Sequence, residues 1–241
     1  KDSDIRPGTN YYWDMYSTSK FREGQQKCGN YSHVGDCVNR EHSFPKSWFK
    51  EGQPMVSDAF HIYPTDGKVN GQRSNFPYGE CANGTTLPSC NGVDALGKLG
   101  KSTFPGYSGT VFEPVDEYKG DFARSYFYMA ACYNDKIASW SSPMLAGNSY
   151  PCYTTWAVNL LLKWNEQDPV SQKEIDRNNA VYKHQNNRNP FIDHPELAEY
   201  IWGDKQNIGW TPGGVVDPKI TSPYNGSTVD FGVTAVNTTL T

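Results

Sequence analysis

The residues best suited to chemistry lie in Asn39-Arg40-Glu41-His42-Ser43-Phe44-Pro45-Lys46-Ser47-Trp48-Phe49, where a carboxylate and an imidazole are neighbours. Imidazole titrates near neutrality, so a neutral His42 can take a proton from water. Glu41 offers a hard oxygen to a divalent cation. In a strand, adjacent side chains point to opposite faces. The pair can therefore serve one site only where the backbone kinks, or where a metal and its substrate bridge them. Alone, a Glu-His dipeptide says little.

A second stretch adds to it: His61-Ile62-Tyr63-Pro64-Thr65-Asp66-Gly67-Lys68-Val69-Asn70-Gly71-Gln72-Arg73-Ser74-Asn75. Asn70 supplies a neutral carbonyl oxygen suited to Mg²⁺ or Ca²⁺ and poor for softer metals. Mg²⁺ keeps most of its water and takes few protein ligands, the rest coming from substrate phosphate. A sparse Glu-plus-Asn pair fits phosphodiester chemistry better than structural metal binding. Asn-Gly is also a common turn dipeptide, and by itself Asn70 would be read that way. No H-E-x-x-H occurs, which argues against a metalloprotease.

Around these motifs the elements read as follows. Residues 1 to about 110 are rich in Gly, Asn, Pro and Ser, with short strand-like or turn-like runs. Gly120 to Tyr133 carries Phe122, Tyr126, Met129 and Ala130 at helical spacing, with Asp121 near its start. Thr154 or Thr155 can cap a helix bearing Trp156, Leu160, Leu161 and Trp164. Asp168-Pro169-Val170-Ser171 reads as a helix entry with proline in the first turn, leading to about His184. Asp193 is expected to cap another helix running from His194 to Trp202. Trp210-Thr211-Pro212-Gly213-Gly214 reads as a linker. Ile220-Thr221-Ser222-Pro223 and Val229-Asp230-Phe231-Gly232-Val233 resemble the first strands of a β-sandwich. The expected organisation is thus a catalytic domain over 1–209 and the truncated start of a second module over 210–241.

Composition sets the bounds. A chain of 241 residues with 37% hydrophobic and 14% aromatic content can bury a core and is polar, aromatic-rich and loop-heavy. No run approaches a membrane span. Lys1 opens the chain without methionine or an apolar leader, so a secretory signal, if one is encoded, is expected to be absent from this chain. The six cysteines have no finger-type metal spacing. Sequence-neighbour pairing, Cys28–Cys37, Cys81–Cys90 and Cys132–Cys152, is the preferred arrangement and implies an oxidising compartment. The net charge of −4 speaks mildly against a nucleic-acid partner, although a local basic groove can sit on an acidic body.

Taken together, Glu-His-x-x-Pro, His-x-x-Pro and Val-Asn-Gly-x-Arg-Ser-Asn resemble the endonuclease I family, whose core is a ββα-metal (His-Me finger) motif. Further stretches match in order: Phe112-Glu113-Pro114, Lys119-Gly120-Asp121-Phe122-Ala123-Arg124, Tyr126-Phe127-Tyr128-Met129, and Arg188-Asn189-Pro190-Phe191-Ile192-Asp193-His194-Pro195-Glu196. The resemblance spans roughly residues 10 to 205. It implies an α+β fold with a ββα catalytic unit among helices and long loops. It implies a secreted, one-metal nuclease in which His42 activates water while Glu41 and Asn70 hold Mg²⁺, with Ca²⁺ or Mn²⁺ as substitutes. DNA, often RNA as well, would be cut with little sequence preference to leave 5′-phosphates. Some members use an arginine between the two motifs to touch the phosphate. None lies between Phe49 and His61, so Arg40, Arg73, Arg124 or a lysine is expected to serve, with His61 and Asn75 as further substrate-side candidates. The rival class is a secreted nucleic-acid or glycan binder without turnover.

Overall fold

The computed structural model describes residues 3–212. The expected β-sandwich strands lie outside that range, as do the last two residues of the expected linker. One compact unit is Lys1–Pro195 and a second begins at Glu196.

In the first unit a loop-rich segment precedes strand β1 (Val38–His42), which pairs antiparallel with β2 (Ile62–Asp66). The register sets Val38 opposite Asp66, Arg40 opposite Pro64, Glu41 opposite Tyr63 and His42 opposite Ile62. Side-chain alternation therefore gives Arg40, His42, Ile62 and Pro64 one face, and Glu41 and Tyr63 the other. The two strands are joined by an excursion containing three short 3-10 turns, Lys46–Phe49, Met55–Ser57 and Ala59–His61.

Helix α1 (Gly67–Arg73) follows β2 without a gap because Asp66 ends the strand and caps the helix. Its carboxylate accepts from the backbone of Lys68 and Val69 at 2.8 and 3.0 Å, filling donors that a helix start leaves unpaired. Its other oxygen accepts from Gly35 at 2.7 Å. Gly67 must be glycine, since a Cβ there would lie 2.4 Å from Cys28 Sγ.

Strands β3 (Lys98–Lys101) and β4 (Thr110–Glu113) form a second antiparallel pair. Helix α2 (Lys119–Cys132) is the centre of the unit and is buried on every side from Lys119 to Ala130. The face expected from Phe122, Tyr126, Met129 and Ala130 is thus only part of its buried surface. Its polar residues are compatible with burial because each is paired: Asp121 with Lys173, Arg124 with Glu174, and Ser125 with the Tyr63 hydroxyl. Helix α3 (Thr155–Gln167) packs on α2 through Trp156, Leu160, Leu161 and Trp164. An aromatic cluster links α2 to the hairpin and its excursion: Phe122 meets Tyr63 edge-on at 5.7 Å, and Phe44 lies 5.0 Å from Tyr126.

Two helix boundaries differ from the sequence expectation. Helix α4 (Gln172–Gln185) begins after Ser171, whose side chain forms a capping box with Glu174, so Pro169 stands outside it. The helix expected from His194 to Trp202 is interrupted at Pro195. Asn189 caps a short α5 (Pro190–Asp193), with Pro190 in its first turn. Within the second unit, α6 (Leu197–Ile201) is a separate short helix.

Of the expected bridges, Cys28–Cys37 is formed. Cys81, Cys90, Cys132 and Cys152 are free thiols, which corrects the other two pairings. Nearness in sequence does not bring these sulfurs together. Cys81 is buried beside β3, whereas Cys90 sits in a tight turn with Val93. Cys132 is exposed at the end of α2, whereas Cys152 is buried. Among the described residues no helix is long and apolar enough to cross a membrane.

Candidate active site

His42 is the last residue of β1 and is half-buried. Its Nε2 lies 3.0 Å from the Val56 carbonyl oxygen. A carbonyl can only accept, so Nε2 carries the proton and Nδ1 keeps its lone pair. Burial holds the imidazole below its ordinary pKa of 6.5, the Val56 bond opposes this, and Lys46 and Arg40 lower it further. At neutral pH the ring is an uncharged base with Nδ1 as its free acceptor.

The neighbouring carbonyl, Met55 O, accepts from His61 Nε2 at 2.7 Å. The two imidazoles lie 5.4 Å apart, centre to centre. His61 is completely buried and its pKa is pushed down, chiefly by loss of solvent. The structure thus places it beneath the surface, not on the substrate side where the sequence expectation set it. Its hydrogen bond instead fixes the segment whose next carbonyl orients His42.

Glu41 points to the opposite face and is buried. Its Oε1 accepts from Tyr16 Oη at 2.9 Å and from Arg73 Nη1 at 2.8 Å. Oε2 accepts no hydrogen bond among the described residues and remains open as a donor. Burial raises the Glu41 pKa, while Arg73 and Tyr16 pull it down. Asn70 is half-buried on α1, one turn before Arg73. Residues three apart share a helix face, so the helix side that delivers Arg73 to Glu41 also carries Asn70.

The expected phosphate-binding arginines fare differently. Arg73 is 1% exposed and donates to Glu41, to His42 O at 3.1 Å and to Ser43 O at 2.7 Å. Arg124 is fully buried between α2 and α4, bound to both Glu174 oxygens at 2.5 and 2.8 Å. The structure places both in internal ion pairs, away from the exposed surface. A guanidinium with no exposed surface has nothing to offer a phosphate. Arg40 is exposed on the His42 face, and Asn75 is exposed just beyond the end of α1. A cleft of about 720 Å³ runs along the His42 face, lined in part by Arg40, Ile62, Pro64, Ser57, Lys27 and Tyr12.

Tyr16 and the Val56 carbonyl were missed from sequence. Tyr16 lies 25 residues before Glu41 with no local pattern to mark it, and a backbone carbonyl carries no residue signature. Among the described residues no three His, Cys, Asp or Glu side chains cluster as metal ligands. A cation here would rest on Glu41 Oε2, Asn70 and oxygens from outside the chain. Two hard oxygens, one of them neutral, fit Mg²⁺-like ions that bring water and phosphate as their remaining ligands.

In class, this is an α+β protein whose polar site stands at the end of a β-hairpin that runs directly into a helix. It belongs to the endonuclease I family, whose model matches residues 1–196. The chain is 37% identical over 195 residues to an extracellular ribonuclease of Bacillus amyloliquefaciens, covering 75% of this chain and 59% of that protein. A Bacillus subtilis (strain 168) extracellular ribonuclease is 38% identical over 194 residues, with the same shares covered. An extracellular deoxyribonuclease of Aeromonas hydrophila is 27% identical over 139 residues, 58% of this chain and 50% of that protein. The chain therefore spans less than two thirds of the length of these relatives.

Proposed function

We propose that this chain is a secreted, divalent-metal-dependent endonuclease hydrolysing phosphodiester bonds of DNA, with RNA as a second substrate, and with little sequence preference. The observation that carries the reading is the His42 tautomer: a neutral imidazole whose Nε2 is held by Val56 and whose Nδ1 is left to accept a proton. Family membership and relatives named as ribonuclease and deoxyribonuclease agree with it. The bridged Cys28–Cys37 pair suits an oxidising compartment.

In this reading β1, β2 and α1 are the ββα-metal unit. Nδ1 of His42 takes a proton from water as its oxygen attacks phosphorus in line with the departing 3′-oxygen. The P–O3′ bond breaks, leaving a 5′-phosphate and, after protonation from solvent, a 3′-hydroxyl. Tyr16 and Arg73 fix the Glu41 carboxylate, and Glu41 and Asn70 would hold the cation. Such an ion supplies positive charge where the phosphate and the leaving oxygen build up negative charge. A cleft lined in part by Arg40, Ile62 and Pro64, which share the strand face of His42, offers room for the strand flanking the cut.

Plasmid nicking tests the proposal. Supercoiled DNA should be cut with Mg²⁺, spared with EDTA, and spared by Glu41→Ala under saturating Mg²⁺, and the ends should be substrates for DNA ligase. Binding without cleavage would establish the chain as a non-hydrolytic module, and cleavage that survives exhaustive chelation would remove the metal.

A further inference from the structure

We propose that Arg73 cancels the charge of the metal carboxylate, so that the free protein holds its cation weakly and the substrate phosphate completes the site. This rests on the metal reading above and deepens it.

Glu41 and Arg73 are paired at 2.8 Å, with side chains 5% and 1% exposed. Asn70, the other donor, is neutral. Asp66, the carboxylate on the connection into α1, is committed to capping that helix and to Gly35. The two donors therefore present no net negative charge to a cation. Affinity for hard divalent ions rises with the number of charged oxygens around them, and here the protein supplies none that is unbalanced.

Arg73 cannot swing aside to release Glu41. Its Nη1 also donates to His42 O, and its Nη2 donates to Ser43 O at 2.7 Å and Tyr126 Oη at 3.4 Å. Its guanidinium stacks over the Tyr78 ring at 4.6 Å. The same fork thus ties the metal carboxylate to the backbone of the general base. Arg73 is a positioning residue, and the neutralisation it imposes is permanent. The missing negative charge must come from the phosphodiester, which also brings an oxygen ligand. Binding of cation and nucleic acid is then coupled, and the coupling is reciprocal by linkage.

The test uses His42→Ala protein, which keeps the donors but should cut roughly 10²- to 10⁴-fold more slowly. Mn²⁺ is titrated by electron paramagnetic resonance with and without a short DNA duplex, after subtracting Mn²⁺ held by DNA alone. DNA should tighten Mn²⁺ binding roughly 5- to 150-fold, the range usual for linked sites, and Mn²⁺ should tighten DNA binding by the same factor. Arg73→Met should bind Mn²⁺ more tightly without DNA and lose much of the coupling, and Arg73→Lys should restore it. If Arg73→Met does not fold, Arg73→Gln takes its place, and Mn²⁺ affinity without DNA left unchanged in a folded variant lacking that charge overturns the proposal. Equal Mn²⁺ affinity with and without DNA overturns the proposal. The failure of the underlying reading looks different: no protein-bound Mn²⁺ in either state, or Mn²⁺ binding unchanged by Glu41→Gln.

Discussion

Replacing Arg124 separates an internal ion pair from a phosphate contact. In the structure its guanidinium is completely buried and makes four hydrogen bonds: two to Glu174, one to Asn165 Oδ1 at 3.1 Å and one to Asp168 O at 2.9 Å. Arg124→Met keeps most of the apolar stem and leaves the Glu174 carboxylate, 3% exposed, without its counter-charge. Removing one partner of a buried pair costs about 3–5 kcal/mol. In a domain of this size each kcal/mol lowers Tm by about 2–4 °C, so a fall of roughly 6–20 °C is expected.

The second partner gives the control. Glu174 also accepts from the Ser171 backbone at 2.9 Å in the capping box, so Glu174→Gln is preferred because its amide oxygen can still accept there. The double variant Arg124→Met with Glu174→Gln should recover a substantial part of the lost stability, because no uncompensated charge remains. Thermal denaturation measures this, and cleavage kinetics well below the lowered Tm should show KM for DNA unchanged. An Arg124→Met protein with wild-type Tm and a KM raised tenfold would refute the reasoning and return Arg124 to the substrate.

Three further outcomes are expected. His42→Ala should reduce kcat by roughly 10²- to 10⁴-fold with little change in DNA binding. Because its base form exists above its pKa, and burial sets that pKa below the ordinary 6.5, the wild-type rate should rise with pH through a limb below 6.5, and a limb above pH 8 would exclude His42. Arg40→Ala should raise KM with kcat nearly constant and make the salt dependence of binding shallower by about one phosphate contact, whereas an unchanged salt slope would leave Arg40 without that role. Alkylation of the unreduced protein in denaturant should find four free thiols and one bridge, and reducing that bridge should cost about 2–4 kcal/mol, so a count of six free thiols or none would contradict the assignment.

Glu41, His42 and Asn70 are marked by short-range signals, and the structure places the first two at the end of β1 and the third on α1. The burial of Arg73 and Arg124 was not legible, because burial of a cation is decided by partners far along the chain. Glu41 stands 32 residues from Arg73, and Glu174 stands 50 residues from Arg124. Helix α2 was recognised but not its burial from Lys119 to Ala130, since the partners of Lys119, Asp121 and Arg124 arrive from β4 and α4. Short-range grammar failed in a different way at Pro169 and Pro195. A proline can open a helix or stand outside it, and the Ser171 capping box decided the first case.

Internal pairing also bears on how an acidic protein can act on a polyanion. Arg73, Arg124, Lys119, Lys173 and Arg177 are each buried in an ion pair with a carboxylate. These cations are spent inside the fold together with buried carboxylates such as Glu41, Asp121 and Glu174, so the acidic balance of the composition carries over to the surface. Nonspecific attraction along the whole body is therefore a poor route to a phosphate backbone. What the His42 end offers is local: exposed Arg40 and Lys46 flank the imidazole, and charge sensed at a mouth is felt within about 10 Å at moderate salt. With Glu41 already balanced by Arg73, a divalent ion seated there would not be offset by the protein. Its full charge would face the substrate. In the proposed nuclease the buried salt bridge would thereby concentrate positive potential at the bond to be cut, with no need for net positive charge on the body.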